Sequence, residues 1–283
     1  MNFGTHEIEA VQRMVAKGTI DKLNSVVLEK FSLGAVMELA CCYKVWKTDN
    51  NKPMLSVCDK WASNHAELAG AIQAFDSDGL PHRDHVKTVD YKRYEIYPIP
   101  LYDQWQDTRW IMFQDRFHRS MVRNGFGTSM ARALSMAMVE MADNVTQHSG
   151  PTDRKQSDGI VGYHVEKDCM SFSIADIGRG ILQSLWTNPK WASIASSQQA
   201  LESAVLRRAT RRLEHLQGNG YYDLLLALAD LNGILRFRSG DASLNIDGRG
   251  EARQNVASAV PSLLGLQLTV TCSRTSTAET MFI

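Results

Sequence analysis

The feature that most constrains the fold is a change of period in the middle of the chain. In TSMARALSMAMVEMADNVTQHS (128–149), Leu134, Met138, Met141 and Val145 recur at steps of three and four, which makes one apolar stripe along an α-helix. Thr128 or Ser129 can cap its start, and Gly150-Pro151 ends it. Directly beyond, GIVGYHVE (159–166) and CMSFSIAD (169–176) flank a Lys-Asp turn, and Met170, Phe172 and Ile174 alternate. Period two marks a half-buried strand, so the pair is a predicted hairpin. A helix with one apolar stripe beside a hairpin with one apolar face buries the two together, an α+β arrangement.

The remaining segments extend this unit on both sides. A helix is predicted over 109–123, others over 197–213 and 222–231, and strands over 234–239 (ILRFRS) and 266–272 (LQLTVTC), with a polar loop at 240–257. The N-terminal third reads as a strand at 24–31, a helix at 33–47, a turn at 48–53, a strand at 54–59 and a helix at 64–75. That order predicts a smaller α/β domain over 1–104, ahead of a second domain over 105–283. The Tyr- and Pro-rich stretch 81–108 reads as a linker with some extended structure.

Composition excludes several function classes. Basic and acidic residues balance at 31 each, which gives no electrostatic argument for nucleic acid or an anionic membrane as partner. The five cysteines are odd in number and hold no C-x-x-C spacing, against a disulfide framework or a zinc ribbon. They point to a reducing, cytoplasmic setting. The first residues, MNFGTHEIEA, lack the apolar run of a secretory leader, and no stretch reaches the ~18 apolar residues of a membrane span. HRDH (82–85) reads as a polar loop, with a metal site as the lesser alternative. LRRATRRLEH (206–215) reads as a solvated helix or a phosphate-anchoring segment, with nucleic acid as the alternative. Met130, Met136, Met138 and Met141, and the pair Cys41-Cys42, read as core.

The long helix also has a polar side. Glu140, Asn144 and His148 lie at i, i+4 and i+8 and so stack along one face, with Asp143 and Gln147 beside them. No Lys or Arg occurs between Arg132 and Arg154, unlike an ordinary solvated face, which remains the alternative reading. ADIGRGI (175–181) then places Asp176 at the end of a strand, with Gly178 and Gly180 free to approach a ligand closely. GNG (218–220) opens a helix, whose first amides suit phosphate.

In this order and spacing, the three boxes resemble the GHKL (Bergerat-fold) ATP-binding superfamily over roughly 105–283. EMADNVTQHSG (140–150) is most similar to the boxes of anti-sigma serine kinases and histidine kinases. The resemblance implies a C-terminal two-layer α/β sandwich of Bergerat type, with helices over a mixed sheet, and ATP and magnesium as ligands. It implies that Glu140 orients or deprotonates the acceptor, and that Asn144 binds the magnesium. His148 would line the nucleotide pocket, and Asp176 would read the adenine amino group. Gly178 and Gly180 would shape the loop beneath the base, and Gly218 and Gly220 would belong to the phosphate lid. It further implies a protein partner, phosphorylated or switched in its association, and is compatible with a homodimer. Two positions depart from the pattern: Tyr222 stands where the lid has a third glycine, and Leu266 follows Gly265 where a Thr helps to hold the Asp. Thr269 and Thr271 are the hydroxyls that could substitute. These departures keep a non-catalytic, nucleotide-sensing module as the alternative. LGAVMELACCYKVWKTDNNKPMLSVCD, taken as helix, turn and strand, resembles a STAS-like module.

Overall fold

The computed structural model describes residues 2–3, 5–17, 30–76, 92–148, 158–206, 233–247 and 257–273. Among them the fold is α+β. The elements are β1 (Asn2–Phe3), α1 (Thr5–Ala16), β2 (Lys30–Phe31), α2 (Leu33–Thr48), α3 (Lys52–Ala62), α4 (Ala66–Asp76), β3 (Tyr94–Pro98), α5 (Thr108–Arg123) and α6 (Thr128–His148). They continue with β4 (Gly159–Glu166), β5 (Cys169–Asp176), α7 (Gly180–Trp186), α8 (Ser197–Leu206), β6 (Ile234–Asp247) and β7 (Ala257–Ser273).

Five strands form one sheet in the order β3-β4-β5-β7-β6. Every neighbouring pair in it is antiparallel, whereas a mixed sheet was expected. The reason is strand insertion. The chain leaves β5 through α7 and α8, runs up β6 at the edge, and returns as β7 between β5 and β6, so two strands of the same direction never meet. The predicted β4–β5 hairpin is present, and Asp168 in its turn takes a left-handed φ of 62°, which Asp tolerates.

Side chains alternate across the sheet. One face carries Val161, Tyr163, Phe172, Ile174, Phe237 and Val270 into a core closed by α5, α6, α7 and α8. Trp110, Phe113, Phe117 and Tyr163 pack there with ring centroids 4.9–5.4 Å apart. The opposite face is covered by the N-terminal helices, whose core takes in Ile160, Ala175 and Leu263 from the strands.

Several predicted elements change. Residues 54–59 are not a strand but the middle of α3. Met54, Val57, Cys58 and Trp61 are its buried positions, a helical spacing in a run too short to show its period unaided. Asn51 caps α3 by accepting the Met54 amide at 3.4 Å. The strand in the STAS-like resemblance is therefore a helix. The stretch 81–108 contains the edge strand β3 from 94 to 98, while 77–91, with HRDH, lies outside the described residues. The polar loop expected from 240 is strand as far as Asp247. Gly240, at φ 60°, forms a bulge there, and a Cβ on it would come within 2.5 Å of Ser197 Oγ. Beyond the bulge Ala242, Leu244 and Ile246 alternate inward. Met136 is 58% exposed, unlike Met138 and Met141. No described helix is long and apolar enough to cross a membrane.

Candidate functional site

The α6 helix presents its two sides as the sequence requires. Leu134, Met138, Met141 and Val145 are buried against the sheet, Glu140 is exposed, and Asp143, Asn144 and Gln147 are half-buried. The Asn144 amide nitrogen faces the Met141 sulfur at 3.9 Å, which leaves its carbonyl oxygen on the other arm of the fork. Gln147 Nε2 donates to Asp143 Oδ2. Thr146 Oγ1 donates to the Pro100 carbonyl at 3.2 Å and ties α6 to the segment after β3. The backbone of His148 closes α6, and its side chain lies outside the described residues, as do Gly218, Gly220 and Tyr222.

Packing carries this helix to the end of β5. A Cβ on Gly159 would meet Val145 Cγ1 at 2.9 Å, so the missing side chain is what lets α6 approach. Gly159 is the register partner of Asp176. The residue after Asn144 therefore packs beside the strand pair that ends in Asp176, and the two sequence motifs share one end of the sheet.

Asp176 is only 4% exposed, and its carboxylate is held by backbone. Oδ1 accepts the Gly178 amide at 2.7 Å and Oδ2 the Leu266 amide at 3.1 Å. Two of the roughly four acceptor positions of a carboxylate are thus taken by main chain. Gly265 makes this possible. At φ 77° it lies so close that a Cβ would fall 1.9 Å from the Asp176 carbonyl oxygen. Neither Thr269 nor Thr271 holds the Asp176 carboxylate. They pair with Ser173 and Ser171, at 2.9 and 3.2 Å, farther up β5. The main-chain amide of Leu266 does so.

The glycine loop is fastened by residues the sequence did not single out. Gly180 adopts φ 71°, and a Cβ there would meet Ser239 Oγ at 2.8 Å. That hydroxyl accepts the Ile181 amide at 2.9 Å and donates to the Gly265 carbonyl at 2.8 Å, locking the start of α7 to β6 and β7. Gln267 Nε2 donates to the Asp176 carbonyl at 3.2 Å and the Leu264 carbonyl at 2.8 Å. Cys41 Sγ, from α2, donates to the same Asp176 carbonyl at 3.9 Å. Burial, then the neighbouring Cys42 and Asp176, hold the Cys41 thiol well above its ordinary range. A signal for Gln267 exists in the polar alternation of Gln267, Thr269 and Thr271 along β7. No local signal marks Ser239.

Among the described residues no group of three or more His, Cys, Asp or Glu side chains is placed to hold a metal ion. The oxygen donors on this helix face are Glu140 and Asn144, which fits a cation such as magnesium that keeps water and phosphate oxygens as most of its ligands. No known family model matches this chain, and neither does any curated protein or solved structure.

Proposed function

We propose that the chain is a Mg-ATP-binding regulatory protein of the GHKL type, whose nucleotide lies at the end of β5, against α6 and the 176–181 loop. ATP would serve phosphoryl transfer to a partner protein or switch its association. The observation that carries this reading is the pairing at one end of the sheet. There a buried Asp176 carboxylate, fixed by two backbone amides, sits beside the helix that bears Glu140 and Asn144.

In this reading the Asp176 carboxylate accepts from the exocyclic amine of adenine. Its fixed orientation supports selectivity, because a base without that donor would bury the carboxylate further without adding a hydrogen bond to it. Gly178 and Gly180 allow the base to lie close to the main chain. The Asn144 carbonyl is the ligand for magnesium, which when bound neutralises phosphate charge. Glu140 orients the acceptor and takes its proton, the positioning role that phosphoryl transfer requires. The exposure of Glu140 and the Tyr222 substitution favour a second reading, nucleotide binding without turnover, with the ligand acting as a switch.

Calorimetric titration of ATP with and without magnesium tests the site. Among the described residues the Asn144 side chain makes a weak sulfur contact within its own helix, so Asn144→Ala should fold and lose the magnesium-dependent part of binding. A wild-type chain that binds no ATP sinks the proposal. Phosphoryl transfer unchanged in Glu140→Ala would remove the catalytic role and leave the switch.

A further inference from the structure

The back of the candidate site is built from the N-terminal helices. On β6 and β7, Arg238 and Gln267 are register partners. Both are buried on the face under α2. That helix meets them with Glu38 and Cys41, one turn apart. Glu38 Oε2 accepts from Arg238 Nη1 at 2.6 Å, and its Oε1 accepts from Arg236 Nε at 3.3 Å. Cys41 and Gln267 converge on the Asp176 carbonyl. The adjoining register pair, Ser239 and Leu266, supplies the groups that hold the loop. Ser239 Oγ accepts the Ile181 amide, and the Leu266 amide reaches Asp176 Oδ2. Ile177, inside the loop, packs into the N-terminal core.

We propose that α2 sets the conformation of the 176–181 loop through two contacts at the back of the sheet, the Glu38–Arg238 ion pair and the Cys41–Gln267 convergence on the Asp176 carbonyl. Lifting α2 loosens the loop. Glu38, Gln267 and Ser239 are positioning residues, since they act on the site through Asp176 and the main chain. The two contacts fall on neighbouring strands at the same register level, so a shift of α2 displaces both at once. Only the ligand arm of the idea rests on the nucleotide reading. Coupling between sites is reciprocal, so a ligand held by the loop must in turn hold α2 down and slow the reaction of Cys41 with a thiol reagent.

Amide hydrogen exchange at Gly178, Ile181 and Leu266 tests this without any ligand. Glu38→Gln weakens the pair while keeping the side-chain shape. Cys41→Ala, which removes only the sulfur, is a second variant that should fold. Glu95→Gln is the control. Glu95 makes a two-pronged pair with Arg116, at 2.9 and 2.8 Å, which is less deeply buried than the Glu38–Arg238 pair and lies away from the loop. The expected result is exchange about five- to tenfold faster at the three amides in Glu38→Gln, and faster in Cys41→Ala, with Glu95→Gln close to wild type. Equal acceleration in Glu38→Gln and the control means general loosening and overturns the proposal, as does exchange unchanged in both test variants. Selective acceleration in a protein that binds no ATP keeps the coupling and removes the nucleotide reading. Where ATP binds, slower labelling of Cys41 in its presence supports the coupling, and an unchanged labelling rate at saturation overturns it.

Discussion

Two faces of the same sheet hold their helices by different physics. Under α5 to α8 the strands present Phe172, Ile174, Phe237 and Val270, and stability there comes from apolar area and ring packing. Under α1 and α2 the same strands present Ser171, Ser173, Arg236, Arg238, Gln267, Thr269 and Thr271, hydrogen-bonded to one another, to main-chain carbonyls or to the helices. Arg238 is fully buried. It donates to Glu38, to Gln12 and, at 2.5 Å, to the Pro261 carbonyl. Arg236 donates to Glu9 at 2.5 Å and to Glu38 at 3.3 Å. An apolar face accepts any helix of suitable shape. A polar buried face accepts only a helix that brings its acceptors, which makes it a specific seat for α1 and α2.

The largest effects should come from breaking either face. Glu38→Ala removes the carboxylate shared by two buried guanidinium groups and should cost about 3–5 kcal/mol in urea unfolding. Replacing Glu9, Glu38, Arg236 and Arg238 together by apolar residues of similar volume should recover that loss, and can exceed wild type by about 1–4 kcal/mol. A fourfold variant as unstable as Glu38→Ala would erase the distinction between the faces. Phe172→Ala, on the other face, should cost a similar ~3–5 kcal/mol by leaving a cavity. Companion substitutions that change only polarity should not restore it.

A smaller effect separates the faces by pH. Burial, opposed by Arg238, pushes the Cys42 thiol under α2 from its ordinary value of 9.0 up to about 12. Across that window the folded chain holds a proton that the unfolded chain has lost. Stability therefore falls as pH rises from about 9 toward about 12. Cys42→Ala should show a shallower alkaline decline in thermal midpoint, and an identical decline would assign the loss elsewhere. The smallest effect belongs to the start of α5. Asp107 accepts the Arg109 amide at 2.8 Å, and its hydrogen bonds with Arg109 hold its pKa at about 2. Asp107→Ala should cost about 1 kcal/mol as a lost helix cap. The wild-type contribution should be present above the ordinary carboxylate range near ~4 and fade as pH falls through about 2.

The candidate site was legible in part. Asp176 closing a strand before two glycines, and a helix with a stacked Glu and Asn, are local patterns, and local patterns survive into the fold. Ser239, Gly265 and the Leu266 amide were not legible as partners of the loop. Their role depends on β7 arriving beside β5 with β6 beyond it, and they lie 63 or more residues from Asp176, Ser239 being the nearest. The Leu266 amide shows the limit most plainly. A side chain is written in the sequence, whereas a main-chain donor exists at nearly every residue and acquires a partner only in three dimensions.

The same division runs through the whole fold. Periods of 3.6 and two are properties of the covalent chain, so α5, α6 and the β4–β5 hairpin could be placed from residues alone. The run 54–59 was too short for its period to decide, and tertiary burial of Met54, Val57, Cys58 and Trp61 settled it as helix. Alternation also told which strand positions are polar, and a polar strand face ordinarily meets water. Only the tertiary structure decided that this one is buried. The carboxylates that pair with Arg236 and Arg238 lie 200 residues or so earlier, on helices whose charges can be desolvated only once both partners arrive together.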